Sequence, residues 1–242
     1  MRLAVISDIH ANTDAFLAVL DDIDRLGVDE LICLGDTIGY GPEPEECLDL
    51  IEKRAIPSLM GNHEMAVIHP KSLKWFNPTA RESIEKTKAI LSSSSCRHLE
   101  SLPGFMVRNH MRFVHGFPPD SPIVYLFQVP EQGLMQAFSN LAERICFIGH
   151  THVLRLISFD GKAVVTTRMK NAVYPLNPSH KYIINIGSVG QPREGGVSAR
   201  YVILDTDDDT LDVRFVIYDP SRIAEKIIRL GLPPVHAERL RP

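Results

Sequence analysis

Five short apolar runs in this chain each stop at a carboxylate, an amide or an imidazole, and that repeated ending limits what the chain can fold into. Read left to right they are "LAVISDIH", closed by Asp8 and His10, "LICLGD", closed by Asp36, "IPSLMGNHE", closed by Asn62 and His63, "MRFVHG", closed by His115, and "ICFIGHTHVL", where Gly149, His150, Thr151 and His152 follow four apolar residues. Runs of this length read as buried strands. A lone Asp-x-His at a strand end more often caps or hydrogen-bonds its own loop than holds a ligand. The joint pattern carries more weight, because neighbouring strands would bring Asp8, His10, Asp36, Asn62, His115, His150 and His152 to one sheet rim. Seven mixed oxygen and nitrogen donors exceed one tetrahedral zinc site and suit two divalent metals sharing a carboxylate.

The order of elements supports such a rim. After the first run, Asn12 or Thr13 caps a helix with Phe16, Val19, Leu20, Ile23 and Leu26 on one face, ended by Gly27. "ELICLGD" repeats the strand, and a Gly/Pro loop leads to a short helix over Glu45 to Lys53. Strands alternating with helices imply a partly parallel sheet whose ligands gather at the strands' carboxyl ends. From Met65 to about Pro103 the texture is polar and helix-forming, which we read as a helical insertion over the site within a single domain, 1–242, with Trp75 and Phe76 read as anchoring it in preference to stacking a base. The second half favours strands: "GFMVRN" and "MRFVHG" pair as a hairpin, "LRLISFDGKAVVT" turns at Asp160-Gly161, and "YIINIGS", "ARYVILD" and "LDVRFVIYD" follow. The acidic run Asp205 to Asp209 reads as a hairpin turn. Asp219, Pro220 and Ser221 open a last helix with Ile223, Ile227 and Leu230 on one side. Two mixed sheets packed face to face with helices outside fit this order.

Composition narrows the function classes. At 242 residues with 44% hydrophobic content the chain buries one sizeable core, and its net charge of −4 gives no footprint for a nucleic-acid or anionic-membrane binder. The N-terminus lacks a signal-peptide pattern and no stretch reaches the roughly 18 apolar residues of a membrane span, so we expect a cytoplasmic protein. Cys33, Cys47, Cys96 and Cys146 show no CxxC spacing and read as structural thiols. His69, His98, His110, His180 and His236 fall outside the five endings and read as surface or loop histidines.

The set "DIH", "GDTIGYG", "GNHE", "HG" and "GHTH" resembles the calcineurin-like metallophosphoesterase superfamily, in that family's order, and "NIGSVGQPR" (Asn185 to Arg193) is similar to a segment of its small bacterial and archaeal phosphodiesterase branch. The resemblance implies a four-layer αββα sandwich with two divalent ions at one end, manganese or iron first, with zinc, cobalt or nickel as alternatives. It implies that Asp8, His10, Asp36 and His152 hold the first ion and that Asp36, Asn62, His115 and His150 hold the second, with Asp36 as bridge. Gly149 would let the chain turn sharply so that His150 and His152 reach different ions. The chemistry implied is in-line attack of a metal-bridging hydroxide on a small phosphodiester or nucleotide phosphate, with His63 protonating the leaving oxygen.

This chain departs from the protein-phosphatase branch, whose second motif continues to an Asp and an Arg that brace the histidine and grip phosphate. Gly39 and Tyr40 stand there instead, so support for His63 must come from elsewhere. Arg193 either supplies the lost phosphate contact or is a solvated loop arginine, and Tyr40 either meets substrate or packs in its loop. Two rival readings are a nuclease of the same superfamily, disfavoured by the missing basic surface, and a metal-binding scaffold for protein contacts, disfavoured by the full set of ligand positions.

Overall fold

Strand β1 (Arg2–Ile6) is fully buried from Leu3 onward, as an uninterrupted apolar run must be when both of its faces are covered. The computed structural model describes residues 1–241. Helix α1 (Thr13–Leu26) starts where the Asn12 side chain accepts the backbone N–H of Ala15, and stops at Gly27, whose φ of 62° lies in the left-handed region. Its Phe16, Val19, Leu20 and Ile23 pack on the outer face of β1. Strand β2 (Glu30–Cys33) lies parallel to β1, and α2 (Pro44–Lys53) adds Cys47 and Ile51 to the same outer layer.

The polar stretch that follows is helical: α3 (Asn62–Ile68), a 3-10 turn over Pro70–Trp75, α4 (Pro78–Ile90) and α5 (Ser93–Ser101). These close a small core of their own around Val67, Ile84 and Leu99, to which the loop residue Ile38 contributes. Phe76 packs there, but Trp75 is 54% exposed, so it anchors nothing and the expected pairing of the two aromatics is corrected. Next come β3 (Phe105–Arg108), β4 (Met111–Val114), α6 (Glu131–Asn140), β5 (Ile145–Ile148), β6 (Leu154–Phe159), β7 (Val164–Arg168), β8 (Ala172–Pro175), β9 (Lys181–Ile186), β10 (Ser198–Asp205) and β11 (Thr210–Ile217). Helices α7 (Ser221–Arg229) and α8 (Val235–Glu238) end the described chain.

One sheet runs β2-β1-β10-β11-β8 and the other β3-β4-β5-β9-β6-β7. Both are mixed: β1 with β2, β4 with β5, and β5 with β9 are parallel, and the remaining pairs antiparallel. Their inner faces share one core, in which Leu3, Val5 and Ile32 meet Phe113, Phe147 and Ile184. Removing each such side chain from water contributes about 1.5–3 kcal/mol, which makes this inner layer the main source of stability. Leu134 and Phe138 of α6 cover the outer face of the second sheet, completing the αββα order. Among the described residues no helix is long and apolar enough to cross a membrane.

Three expectations change. "IPSLMG" makes only one parallel bridge, Ser58 with Cys33, because Pro57 has no N–H to extend a ladder, so four of the five endings follow true strands. Leu230 is half exposed, and Leu232 takes its expected place beside Ile223 and Ile227. The last helix is α8, not α7, and its four residues are too few to show a period.

Candidate active site

Backbone lacing brings the strand ends together first. Asp8 N–H donates to Gly35 O at 3.0 Å, His10 N–H to Asp36 O at 2.9 Å and Ala11 N–H to Thr37 O at 2.8 Å, so the loops after β1 and β2 run side by side. Asp8, His10, Asp36, His150 and His152 all have φ between 51° and 64°. Left-handed backbone at non-glycine residues costs about 1 kcal/mol or more each and clusters where geometry matters more than local comfort. Gly149 is not among them: a Cβ there would overlap Ser7 Oγ and press on Asp8 Oδ2. Its role is close approach, and the sharp turning is done by His150 and His152 themselves, which corrects the expectation for Gly149.

The side chains then converge. Asp8, His10 and His152 form one group, Asp36, His115 and His150 a second, and His10, Asp36 and His63 a third, each with its donor atoms within 4.8 Å of one another. Asn62 joins the second group, with Oδ1 at 3.0 Å from His115 Nε2. Three imidazoles are oriented alike: Nδ1 donates to a backbone carbonyl in His10 (Ile38 O, 3.1 Å), His115 (Leu34 O, 3.1 Å) and His152 (Gln191 O, 2.6 Å). That bond turns Nε2 inward in all three, as a lone pair wherever the ring is neutral. His150 is held the other way, through Nε2 to Ile123 O at 3.2 Å, which leaves Nδ1 free. Its ring also lies under Tyr125, centroids 3.7 Å apart.

This donor set fits divalent cations. Nε2 of His10 and Nε2 of His152 face each other at 3.1 Å, and buried Asp8 Oδ1, 3.2 Å from His152 Nε2, receives no hydrogen bond. Lone pairs packed this way repel unless positive charge sits among them. In the second group a proton does that work: burial disfavours a charged His115, yet Asp36 at 3.2 Å pushes it up to about 9. Burial also works against the Asp36 anion, and the imidazoles of His115 and His63 hold it well below the usual carboxylate range. Burial pushes His150 down to about 3 with help from His115, and His152 down to about 4 against the pull of Asp8.

His63 heads α3. Its N–H donates to Asp36 Oδ1 at 2.9 Å, its Nε2 lies 3.9 Å from Asp36 Oδ2, and burial keeps the ring well below its ordinary pKa. Nδ1 is buried without a partner. The ring is braced by edges instead of a carboxylate, with Tyr40 at 4.5 Å and Phe76 at 5.3 Å between centroids.

Glu64 is a positioning residue that the sequence reading left without a role. Buried at the third residue of α3, it accepts the N–H groups of Gly61 (2.9 Å), Asp36 (2.8 Å) and Ile38 (3.2 Å), clasping the loop after β2 to the start of the helix. The signal was present, since a Glu three residues after a helix start commonly reaches back to it. Burial and the nearby Asp36 charge push Glu64 up to about 7. The segment "NIGSVGQPR" is a brace: Asn185 Nδ2 donates to Gly149 O at 2.9 Å and Thr151 Oγ1 at 2.7 Å, and Ser188 Oγ donates to Asp8 O at 2.8 Å.

A cavity of about 640 Å³ opens onto these groups, lined among others by Tyr40, Asn62, Trp75, Tyr125, His150, Arg193 and His236. Tyr40 packs between the rings of His10 and His236, 7% exposed. Arg193 stands exposed at the rim. His236 is 1% exposed and belongs to this wall, which corrects its reading as a surface residue. His69 and His110 are exposed as expected, while His98 and His180 are partly buried. All four cysteines are free; Cys33, Cys47 and Cys146 are buried, and burial pushes Cys33 up to about 12.

Known proteins share this arrangement. An uncharacterised protein of Methanocaldococcus jannaschii is 36% identical over 98% of this chain and 96% of its own length. The crystal structure of a metallophosphoesterase from Sphaerobacter thermophilus superposes with a TM-score of 0.85 at 36% identity, covering 99% of this chain and 98% of that one. A hypothetical protein from Pyrococcus horikoshii shares the fold, with a TM-score of 0.81 at 17% identity over 99% of this chain and 97% of its own. The model of the calcineurin-like phosphoesterase superfamily domain matches residues 1–209, a span that takes in every strand-end residue described above, and the chain therefore belongs to that superfamily.

Proposed function

We propose that this phosphoesterase is a hydrolase of small phosphodiesters or nucleotide phosphates that works with two divalent ions, manganese or iron in preference to zinc, cobalt or nickel. Asp8, His10, Asp36 and His152 would hold one ion and Asp36, Asn62, His115 and His150 the other. The observation that carries the reading is the position of Asp36, whose Oδ2 lies 3.8 Å from His10 Nε2 and 3.2 Å from His115 Nε2, between the two groups of donors. When bound, such ions lower the pKa of a water nucleophile and neutralise charge on the phosphoryl oxygens.

The chain's own residues do the rest. His63 faces the same carboxylate, and it would give a proton to the leaving oxygen. Burial keeps it neutral in the free protein, and the negative charge of a bound phosphate favours its protonated form, so substrate binding carries the proton in. Asn62, Tyr40 and Arg193 would contact the ester. Gly39 and Tyr40 in place of an acid and an arginine count against a protein phosphatase, and the net charge of −4 counts against a nuclease.

Metal content measured beside turnover of bis(p-nitrophenyl) phosphate tests the reading, after stripping the protein and reloading it with each ion in turn. Activity should require a divalent ion, and Asp36→Asn should weaken both ions together while circular dichroism stays native. An Asp36→Asn protein with two tightly held ions and a near-native rate would end the dinuclear assignment, and a loaded protein without turnover would favour the scaffold.

A further inference from the structure

We infer that Arg193 and Arg239 form a second anion subsite beside the reacting centre, so that the substrate is a nucleotide that carries a further phosphate besides the scissile one and a planar base that meets Trp75. This deepens the proposed phosphodiesterase function and rests on it.

The two guanidinium groups line the same cavity as Asn62 and His150, and neither forms an ion pair among the described residues. Arginines elsewhere in the chain are commonly paired: Arg112 with Glu143, Arg155 with Glu194 and Arg222 with Asp14. Leaving two of them free at the mouth of one cavity, in a chain of net charge −4, concentrates positive charge where an anion enters. Arg193 is tied to the centre through its backbone N–H, 3.5 Å from the carbonyl of His152. Both charges lie close enough to disfavour protonation of His236.

The wall bearing Arg239 is built, not a loose tail. Leu232, Ala237 and Leu240 bury themselves against Ile223 and Ile227 of α7. Gln191 Nε2 donates to His236 O at 3.2 Å, and Arg222 and Lys226 of α7 grip buried Glu43 at 2.6 and 2.7 Å, on the loop that carries Tyr40. His236 faces the cavity from within this wall, nine-tenths buried or more, with neither ring nitrogen hydrogen-bonded among the described residues. The wall also lies beyond residues 1–209, the span matched by the superfamily model. A fork of guanidinium donors matches phosphate oxygens bidentately. Trp75, 54% exposed on the same cavity and with Lys74 Nζ 5.7 Å from its ring centroid, offers an indole to a planar group, and a cavity of about 640 Å³ holds far more than one phosphate. A nucleotide bearing a second phosphate meets all three requirements.

The test compares kcat/KM for thymidine 3′-phosphate 5′-(p-nitrophenyl phosphate) with that for thymidine 5′-(p-nitrophenyl phosphate), on metal-loaded protein. The native chain should prefer the first, and Arg239→Ala and Arg193→Ala should each cut that preference roughly 10- to 100-fold, the usual worth of a charge-assisted pair. Arg239→Lys should restore part of it, and Arg229→Ala, on the exposed side of α7, should leave it alone. Equal rates for the two esters in the native chain, or a preference that survives both alanine variants in folded protein, overturns the subsite while leaving the phosphodiesterase reading intact. No turnover of either ester overturns that reading, and the subsite with it.

Discussion

Gly39 and His63 are in direct contact, and the contact decides what position 39 can be: a Cβ added there would overlap Nδ1 of the imidazole. The residue also has φ of +83°, open to glycine and strained for anything else. Gly39→Asp, which would write the phosphatase pattern into this chain, should therefore push the ring aside instead of bracing it. We expect a loss of about 1–3 kcal/mol of stability and a fall in turnover with it, measured by urea melts and rates on one ester. A variant as stable and active as the native chain would mean that ring and loop relax freely.

His63→Gln separates leaving-group protonation from binding. Turnover should drop by roughly 10²–10⁴ on esters of poor leaving groups, the usual scale for a general acid, and much less on p-nitrophenyl esters. Equal losses on both point to phosphate binding instead.

Stripping the divalent ions should lower the melting temperature. It leaves the Nε2 atoms of His10 and His152 facing each other at 3.1 Å and Asp8 Oδ1 without a donor. An ion at a hundred times its Kd adds about 2.7 kcal/mol, roughly 5–10 °C for a chain of this size. Calorimetry with chelator and then with added manganese reads this directly, and a melting point indifferent to every divalent ion tried would count against the site.

His236 gives the protein an acid sensitivity with a definite sign. Burial, reinforced by the charge of Arg239, pushes the folded imidazole down to about 3, whereas an unfolded one titrates near 6.5. The unfolded chain therefore takes the proton first, so stability is intact above about pH 6.5 and falls, by up to about 1.4 kcal/mol per pH unit, as pH drops towards 3. His150 and His152 share this direction, so the comparison is between proteins: the stability gap between native and His236→Phe should shift in favour of the variant between pH 6.5 and 4.5. Parallel curves would show that His236 is protonated in the fold without cost.

The centre was largely legible because its residues sit at strand ends, where an apolar run announces the strand and the next polar residue is its end. Asp8, His10, Asp36, His115, His150 and His152 all follow that rule, and they stand together. Backbone angles carry no such signal, so Gly149 was credited with a turn that His150 and His152 make. The far wall was hidden for a different reason. His236 reaches Tyr40 across almost two hundred positions, from a helix of four residues, and nothing local in "PPVHAERL" marks it as facing a cavity.

The strand order has a consequence for synthesis. β1 lies between β2 and β10, and its partner on that second side is not complete until Asp205. A nascent chain that has released His152 thus holds every side chain of the centre while one edge of β1 still lacks its hydrogen bonds. The loops after β1 and β2, and the left-handed turns they contain, have their final support only when the chain comes back to its own beginning.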